Sequence, residues 1–116
     1  MDESILNTIK NMLDVPEDQP SFDQELISYI NGAFFTLHQL GVGPETPFVL
    51  ENGDAIWSEF TTDIDKIQIV KQYIFISVKL LFDTASTGSA TISALERERD
   101  RLEWRLNVEV DPGEEI

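Results

Sequence analysis

The chain has 116 residues, of which 41% are apolar, and it contains no cysteine. This length and composition suit a single domain with its own core, and the lack of cysteine excludes thiol catalysis, disulfide frameworks and cysteine-ligated metal sites. Twenty-two acidic and eight basic residues give a net charge of −14, which disfavours ordinary nucleic-acid binding because phosphate contacts depend on lysine and arginine.

The first predicted element is an amphipathic helix over residues 2–14. Its apolar side chains recur at helical spacing along one face, and either Asp2 or Ser4 can cap its N-terminus. Pro16 and Pro20 then interrupt the pattern, because proline lacks a backbone donor and restricts the residue before it. We therefore predict an irregular connector after the first helix.

A second helix is predicted from Ser21 or Asp23, either of which can act as its N-cap, to about Leu40. Gly41 follows, at the position where helices often end with a glycine. Most apolar residues of this helix share one face, but Phe35 falls on the opposite side. We therefore expect the Phe35 side chain to point away from the core.

Residues 47–58 carry the one β-strand signal of the sequence. Two short apolar runs flank Asn52 and Gly53, a dipeptide that favours the tight turn of a β-hairpin. The second run contains Trp57. Because a lone hairpin is only marginally stable in water, we expect the helices or a neighbouring subunit to cover it.

Residues 63–82 are apolar around most of a helical circumference and contain neither proline nor glycine. Twenty residues are too many for one strand, so the segment predicts a helix that the others surround. The predicted fold is therefore mainly α-helical. It is a bundle of four to five helices around the central helix at about 63–82, with one short β-hairpin at about 47–58.

The last predicted helix begins near Ser89 or Thr91 and carries two different faces. One face is an apolar seam formed by Ile92, Leu95, Leu102 and Leu106. Trp104 lies nearly opposite this seam, with Arg97 seven residues and Arg101 three residues before it. A tryptophan flanked by arginines is typical of an interface hot spot. The alternative is a surface tryptophan shielded by arginine stems through cation–π contact.

The domain organisation follows from where this helix ends. Residues 1–107 are expected to form one helical domain, and residues 108–116 an acidic and flexible C-terminal tail. The first residues lack a basic region followed by an apolar core, so no signal peptide is predicted. No stretch reaches the ~20 consecutive apolar residues of a membrane span, so we expect a soluble protein made in a cytoplasm.

Few residues suggest catalysis or metal binding. His38 is the only histidine, and one histidine supports neither a catalytic triad nor a multi-histidine metal site. The acidic pairs Asp63/Asp65 and Glu51/Asp54 do not match the ligand spacing of a calcium loop. The sequence therefore predicts no enzyme, no cofactor and no metal site.

Three segments together resemble a known family. They are LHQLGVGPE at residues 37–45, VKQYIFISVKLLFD at residues 70–83 and LEWRLN at residues 102–107. In this order and spacing they resemble the small head–tail connector (adaptor) proteins of long-tailed bacteriophages and prophages. The likeness extends from the first helix to Asn107.

The resemblance implies a mostly helical structural subunit of the virion, without catalytic residues, made in the cytoplasm of the bacterial host. It also implies self-association in a ring on the portal protein at the head–tail interface. Such a ring extends the DNA channel and offers a docking surface to a stopper or tail-completion protein. DNA would pass the lumen without specific binding, and no membrane is involved.

Apolar residues on outward faces are expected in a subunit whose exposed surface is covered by identical subunits in an oligomer. The predicted interface residues are Phe35, Trp57, Arg97, Arg101, Trp104 and Arg105. Two other functions stay open on the sequence alone. One is an acidic inhibitor that mimics DNA and occupies a host DNA-binding protein, and the other is a small metal-dependent hydrolase. The acidity can also serve solubility alone.

Overall fold

The computed structural model describes residues 3–82 and 88–110, with side chains as far as Val108. Over these residues the chain forms five α-helices and no β-strand. The helices are α1 (Ile5–Met12), α2 (Asp23–Gln39), α3 (Trp57–Phe60), α4 (Ile64–Lys79) and α5 (Ser89–Val110), and a single 3₁₀ turn (Pro20–Phe22) precedes α2. The prediction of a mainly helical fold is confirmed.

The start of α1 ties the N-terminal segment to a distant loop. The Ser4 hydroxyl oxygen accepts a hydrogen bond from the Asn7 backbone N–H, at 3.2 Å, and so caps the helix. The same hydroxyl donates to the Gly53 carbonyl oxygen at 2.7 Å. Ile5 and Ile9 on the inner face of α1 are fully buried. Of the two predicted caps, Ser4 is the one used.

The start of α2 differs from the prediction. Its N-cap residue is Phe22, which makes no side-chain capping bond. The Asp23 carboxylate instead accepts a hydrogen bond from the buried Lys10 ammonium at 2.7 Å. A buried ammonium needs a counter-charge, and this need outweighs the weaker benefit of a helix cap. The helix end is as predicted, because Gly41 has a φ of 82° and closes the last turn.

The core lies where α4 meets the other long helices. α4 packs against α1, α2 and α5. Its buried side chains are Ile67, Val70, Tyr73, Ile74, Ile76 and Val78. α2 adds a stripe that includes Leu26, Ile30 and Leu37, and α5 adds Leu102 and Leu106 from the predicted seam. The apolar periodicity of the sequence therefore identifies the faces that form the core.

The predicted β-hairpin at residues 47–58 is wrong. The segment is irregular and ends in the helical turn α3. A tight hairpin turn at Asn52 and Gly53 requires positive φ angles, but the residues with positive φ are Asp14, Gly41 and Gly43. The segment pairs with α1 instead. The Ile5 backbone N–H donates to the Ala55 carbonyl oxygen at 2.9 Å.

Side chains of the helices take the place of a second strand. The side-chain amide of Asn31 on α2 bonds to both backbone polar groups of Leu50. The Leu50 N–H donates to Asn31 Oδ1 at 2.7 Å, and Asn31 Nδ2 donates to the Leu50 carbonyl oxygen at 3.1 Å. The Trp57 indole N–H donates to the Thr8 hydroxyl oxygen at 2.9 Å. These bonds satisfy polar groups that a hairpin would have paired within itself.

α5 continues past the predicted domain boundary at residue 107 and ends at Val110. The helix therefore includes the first three residues of the predicted tail. The remainder of that tail, residues 111–116, and residues 83–87 lie outside the described part of the chain. Near its end, α5 contacts α2 where the Asn107 amide donates to the Leu40 carbonyl oxygen at 3.4 Å.

Candidate functional site

The most exposed aromatic side chain lies on α5, on the side opposite the core. Trp104 is 67% exposed, and Val108, one turn later, is also exposed. Arg97, Arg101 and Arg105 follow at intervals of four residues, which places them in one row along the same side of the helix. We call these five residues the α5 outer face. It combines a large apolar surface with three of the four arginines of the chain.

The arginines of the α5 outer face differ in their contacts. Arg101 binds the Glu98 carboxylate through two hydrogen bonds, of 2.7 and 3.2 Å. This hydrogen bond lowers the pKa of Glu98 below its ordinary value. Arg97 and Arg105 make no ion pair within the part of the chain that the structure describes. Of the two alternatives for Trp104, shielding by arginine stems is not seen as a cation–π contact among the described residues, and the Arg101 guanidinium is bound to Glu98.

Phe35 is a second outward aromatic residue, on α2. Its side chain is 52% exposed, as its place opposite the apolar stripe predicted. The exposed residues nearest to it on the same side of the helix are Ser28, Gly32 and Gln39, none of which is charged, and the exposed acid Glu25 lies on this side in the first turn. The surface around Phe35 is therefore neutral, with one acid at the start of the helix.

Trp57 does not belong with these outward residues. It is 2% exposed and packs near Phe34, with the ring centroids 6.4 Å apart. The Lys71 ammonium lies over its ring at 5.6 Å from the centroid, a cation–π contact. The sequence placed Trp57 on a hairpin strand that could face outward. In the structure it anchors α3 to the core, so it offers no side chain to a partner.

A small hollow lies on the irregular segment and α3. Its volume is about 230 Å³, and its lining comprises Val49, Glu51, Asn52, Asp54, Ala55 and Glu59. We call it the acidic hollow. Val49 is 58% exposed and supplies apolar surface between three carboxylates. Glu59 is fixed by its carboxylate, which accepts a hydrogen bond from the Ile56 backbone N–H at 3.1 Å.

The acidic hollow was not predicted from the sequence. The spacing of Glu51 and Asp54 does not match a calcium loop, and no motif singles out Glu59. They meet because the turn at Asn52 is closed by its own side chain, whose Oδ1 accepts from the Asp54 N–H at 2.8 Å. The helical turn α3 then brings Glu59 to the same side. The available signal was three acids within nine residues, Glu51, Asp54 and Glu59, which follow Val49 in the sequence.

Comparison with protein families decides the identity of the chain. The model of a family described as "Phage connector protein" matches residues 5–113. The chain belongs to this phage connector family. A search of curated proteins and a search of solved structures each gave no match. The three segments that carried the resemblance lie within the matched residues, and the predicted family is confirmed. The connector is thus a structural component of a phage virion.

The connector also has a cleft between α2, α4 and α5 of about 370 Å³. The Tyr73 hydroxyl in this cleft donates to the Glu103 carboxylate at 2.8 Å. Burial, together with this bond, raises the pKa of Tyr73 above its ordinary value. The bond joins α4 to α5 and holds α5 in the orientation that turns Trp104 outward.

Two further features of the connector concern metals and membranes. Over residues 3–82 and 88–110, no three acidic or histidine side chains come close enough together to hold a metal ion. His38 is half-buried near the end of α2. Among the helices the structure describes, none has the length and apolar character of a membrane span.

Proposed function

We propose that the protein joins the head of a bacteriophage to its tail. In this proposal, identical subunits form a ring beneath the portal protein, extend the DNA channel and present a docking surface to a stopper or tail-completion protein. The observation that carries the proposal is the family match, which spans residues 5–113. Catalysis has no part in this role.

The exposed aromatic residues support a role in assembly. A monomeric protein gains no folding energy from Trp104 and Phe35 where they stand, since both are more than half exposed. Such side chains gain free energy when a partner covers them, and large aromatic residues are enriched at protein interfaces. Phe35, Trp104 and the arginines Arg97, Arg101 and Arg105 are therefore the proposed contact residues.

The net charge supports passage of DNA. A charge of −14 on each copy gives a ring a strongly negative potential, which repels the phosphates of duplex DNA and disfavours adhesion to the channel wall. The same charge opposes spontaneous association of free subunits. We therefore propose that the protein is monomeric in solution and joins a ring on the portal.

Binding to the portal tests the proposed function. The purified protein is incubated with portal rings, or with DNA-filled heads that lack tails, and sedimented with them. We expect co-sedimentation at a fixed ratio of subunits per portal, and a ring beneath the portal in electron micrographs. No binding to portal or heads would contradict the proposal. Analytical ultracentrifugation of the isolated protein checks the order of assembly, and a stable ring at micromolar concentration would contradict it.

The alternative of a DNA mimic finds no support in the family match. The acidic side chains of the acidic hollow surround the apolar surface of Val49, whereas a mimic needs carboxylates in long rows that imitate phosphates. The connector function is therefore the one that the site and the family both favour.

A further inference from the structure

The charge on this chain is distributed unevenly. All four arginines lie between residues 97 and 105, while the acids occur along the whole sequence. Lys10, one of the four lysines, is buried in an ion pair with Asp23. The α5 outer face is therefore the place where exposed positive charge concentrates, and its unpaired arginines, Arg97 and Arg105, flank Trp104 along the helix.

The acidic hollow has the complementary properties. It is concave, it is lined by three carboxylates, and its exposed apolar residue is Val49. The Glu51 and Asp54 carboxylates form no ion pair within the described residues. The hollow is open to solvent, so a side chain of another molecule can reach Val49, and oppositely charged surfaces steer each other into register.

The two surfaces lie on different parts of the subunit. α5 packs on α4, whereas the hollow belongs to the segment that α1 and α2 hold through Ile5 and Asn31. A contact between unlike surfaces of identical subunits leaves one of each free at the ends. It therefore propagates from copy to copy and closes into a ring where the rotation permits.

We infer that the α5 outer face of one copy docks into the acidic hollow of a second copy, with the Trp104 indole against Val49. Arg105 faces the carboxylate of Glu51 on that second copy, and Arg97 faces that of Glu59. The inference rests on the proposed ring and names the two surfaces that would form it. It also explains how subunits of charge −14 can adjoin, since each contact sets arginines against acids.

Duplex DNA is the other ligand that a row of arginines suggests. On α5, however, Glu98 lies beside the arginine row and binds Arg101 through two hydrogen bonds, and negative charge at that position repels phosphate. A surface of alternating sign with a central tryptophan fits an acidic protein surface better than a nucleic acid. We therefore assign the second copy as the occupant.

Disulfide trapping between two single-cysteine variants tests the inference directly, because the natural chain has no cysteine. Glu51→Cys is mixed with Arg105→Cys, the two being distinguished by mass, and the mixture is oxidised with glutathione. We expect the mixed dimer to exceed each of the two self-dimers by more than about threefold, against twofold for random collision, since docking aligns unlike surfaces. Asp18→Cys mixed with Arg105→Cys is the matched control, because Asp18 is an exposed acid outside the hollow.

Charge reversal provides the second arm. Adding Arg97→Glu to the Arg105→Cys variant should reduce the mixed dimer to the control level, and adding Glu59→Lys to its Glu51→Cys partner should restore it. Loss without restoration, or a yield equal to the Asp18→Cys control throughout, would overturn the inference. So would a mobility shift of short duplex DNA that Arg97→Glu abolishes.

These results separate the inference from the function on which it rests. Trapping captures transient contacts between free, monomeric subunits and needs no portal, whereas the proposed function is measured by co-sedimentation with portal. Portal binding together with control-level trapping would show that the ring uses other surfaces. Specific trapping without portal binding would retain the paired surfaces and reject the head–tail role.

Discussion

Replacing Lys10 with methionine is the sharpest test of how the N-terminal region is held. The Lys10 side chain is 1% exposed, and its ammonium donates to the Asp23 carboxylate at 2.7 Å. It also donates to the carbonyl oxygens of Gln19 and Glu17, at 2.8 and 3.2 Å. The Lys10 ammonium thus joins α1, the irregular segment after α1 and the start of α2. Methionine retains much of the apolar stem but removes all three bonds.

The cost of Lys10→Met follows from what it leaves behind. Removing one partner of a fully buried ion pair costs roughly 3–5 kcal/mol. The Asp23 side chain is 29% exposed in the structure, so water can solvate its carboxylate after the substitution. We therefore expect a loss of about 2–3 kcal/mol in the free energy of unfolding, below the fully buried range.

Urea unfolding followed by circular dichroism measures this loss. Lys79→Met is the matched control: Lys79 is half-buried on α4 and forms no ion pair among the described residues. It should change the free energy of unfolding by less than about 0.5 kcal/mol. Equal effects of the two substitutions would refute the reasoning, because the oxygens around Lys10 would then contribute nothing beyond an ordinary surface lysine.

Three other predictions use the same unfolding measurement. Trp57→Ala should cost about 3–5 kcal/mol because the indole is buried, whereas Trp104→Ala should cost less than about 0.5 kcal/mol; similar costs would contradict the assignment of inner and outer tryptophans. Tyr73→Phe removes the bond to Glu103 and should cost about 1–2 kcal/mol at neutral pH. The folded-state pKa of Tyr73 lies above its ordinary value of 10.0, so the stability that the Tyr73 hydroxyl contributes is full below pH 10 and is lost as the pH rises further. The free energy of unfolding of Tyr73→Phe should therefore fall less at alkaline pH than that of the natural protein. The same fall in both proteins would contradict this role of Tyr73. Gly41→Ala should cost about 1 kcal/mol because its φ is 82°.

The helices could be predicted because their apolar spacing is local information. The stripe of α2 and the seam of α5 each follow a period of 3.6 residues, and the structure buries Leu37, Leu102 and Leu106 accordingly. Exposure of Phe35 and Trp104 follows from the same arithmetic, since a residue opposite the stripe cannot reach the core. One part of the candidate site, the α5 outer face, was therefore visible in the sequence.

The irregular segment could not be predicted in the same way. Its course depends on bonds to residues far along the chain, such as Leu50 to Asn31 and Trp57 to Thr8. A pattern of local propensities favoured a hairpin at Asn52, and tertiary contacts overrode it. The acidic hollow is formed by these tertiary contacts, so the spacing of its acids in the sequence does not predict it. Lys10 was missed for a related reason, because its partners lie seven to thirteen residues away.

The two tryptophans show how this connector divides its apolar surface between folding and assembly. Trp57 is inside, and its indole N–H is bonded to Thr8, so a partner can add nothing to it. Trp104 is outside, on a helix that Leu102 and Leu106 already fasten to the core. A tryptophan in that position contributes little to folding, and its apolar surface gains free energy only when another surface covers it. Substitution of Trp104 should therefore impair assembly at unchanged stability, a combination that distinguishes a contact residue from a core residue.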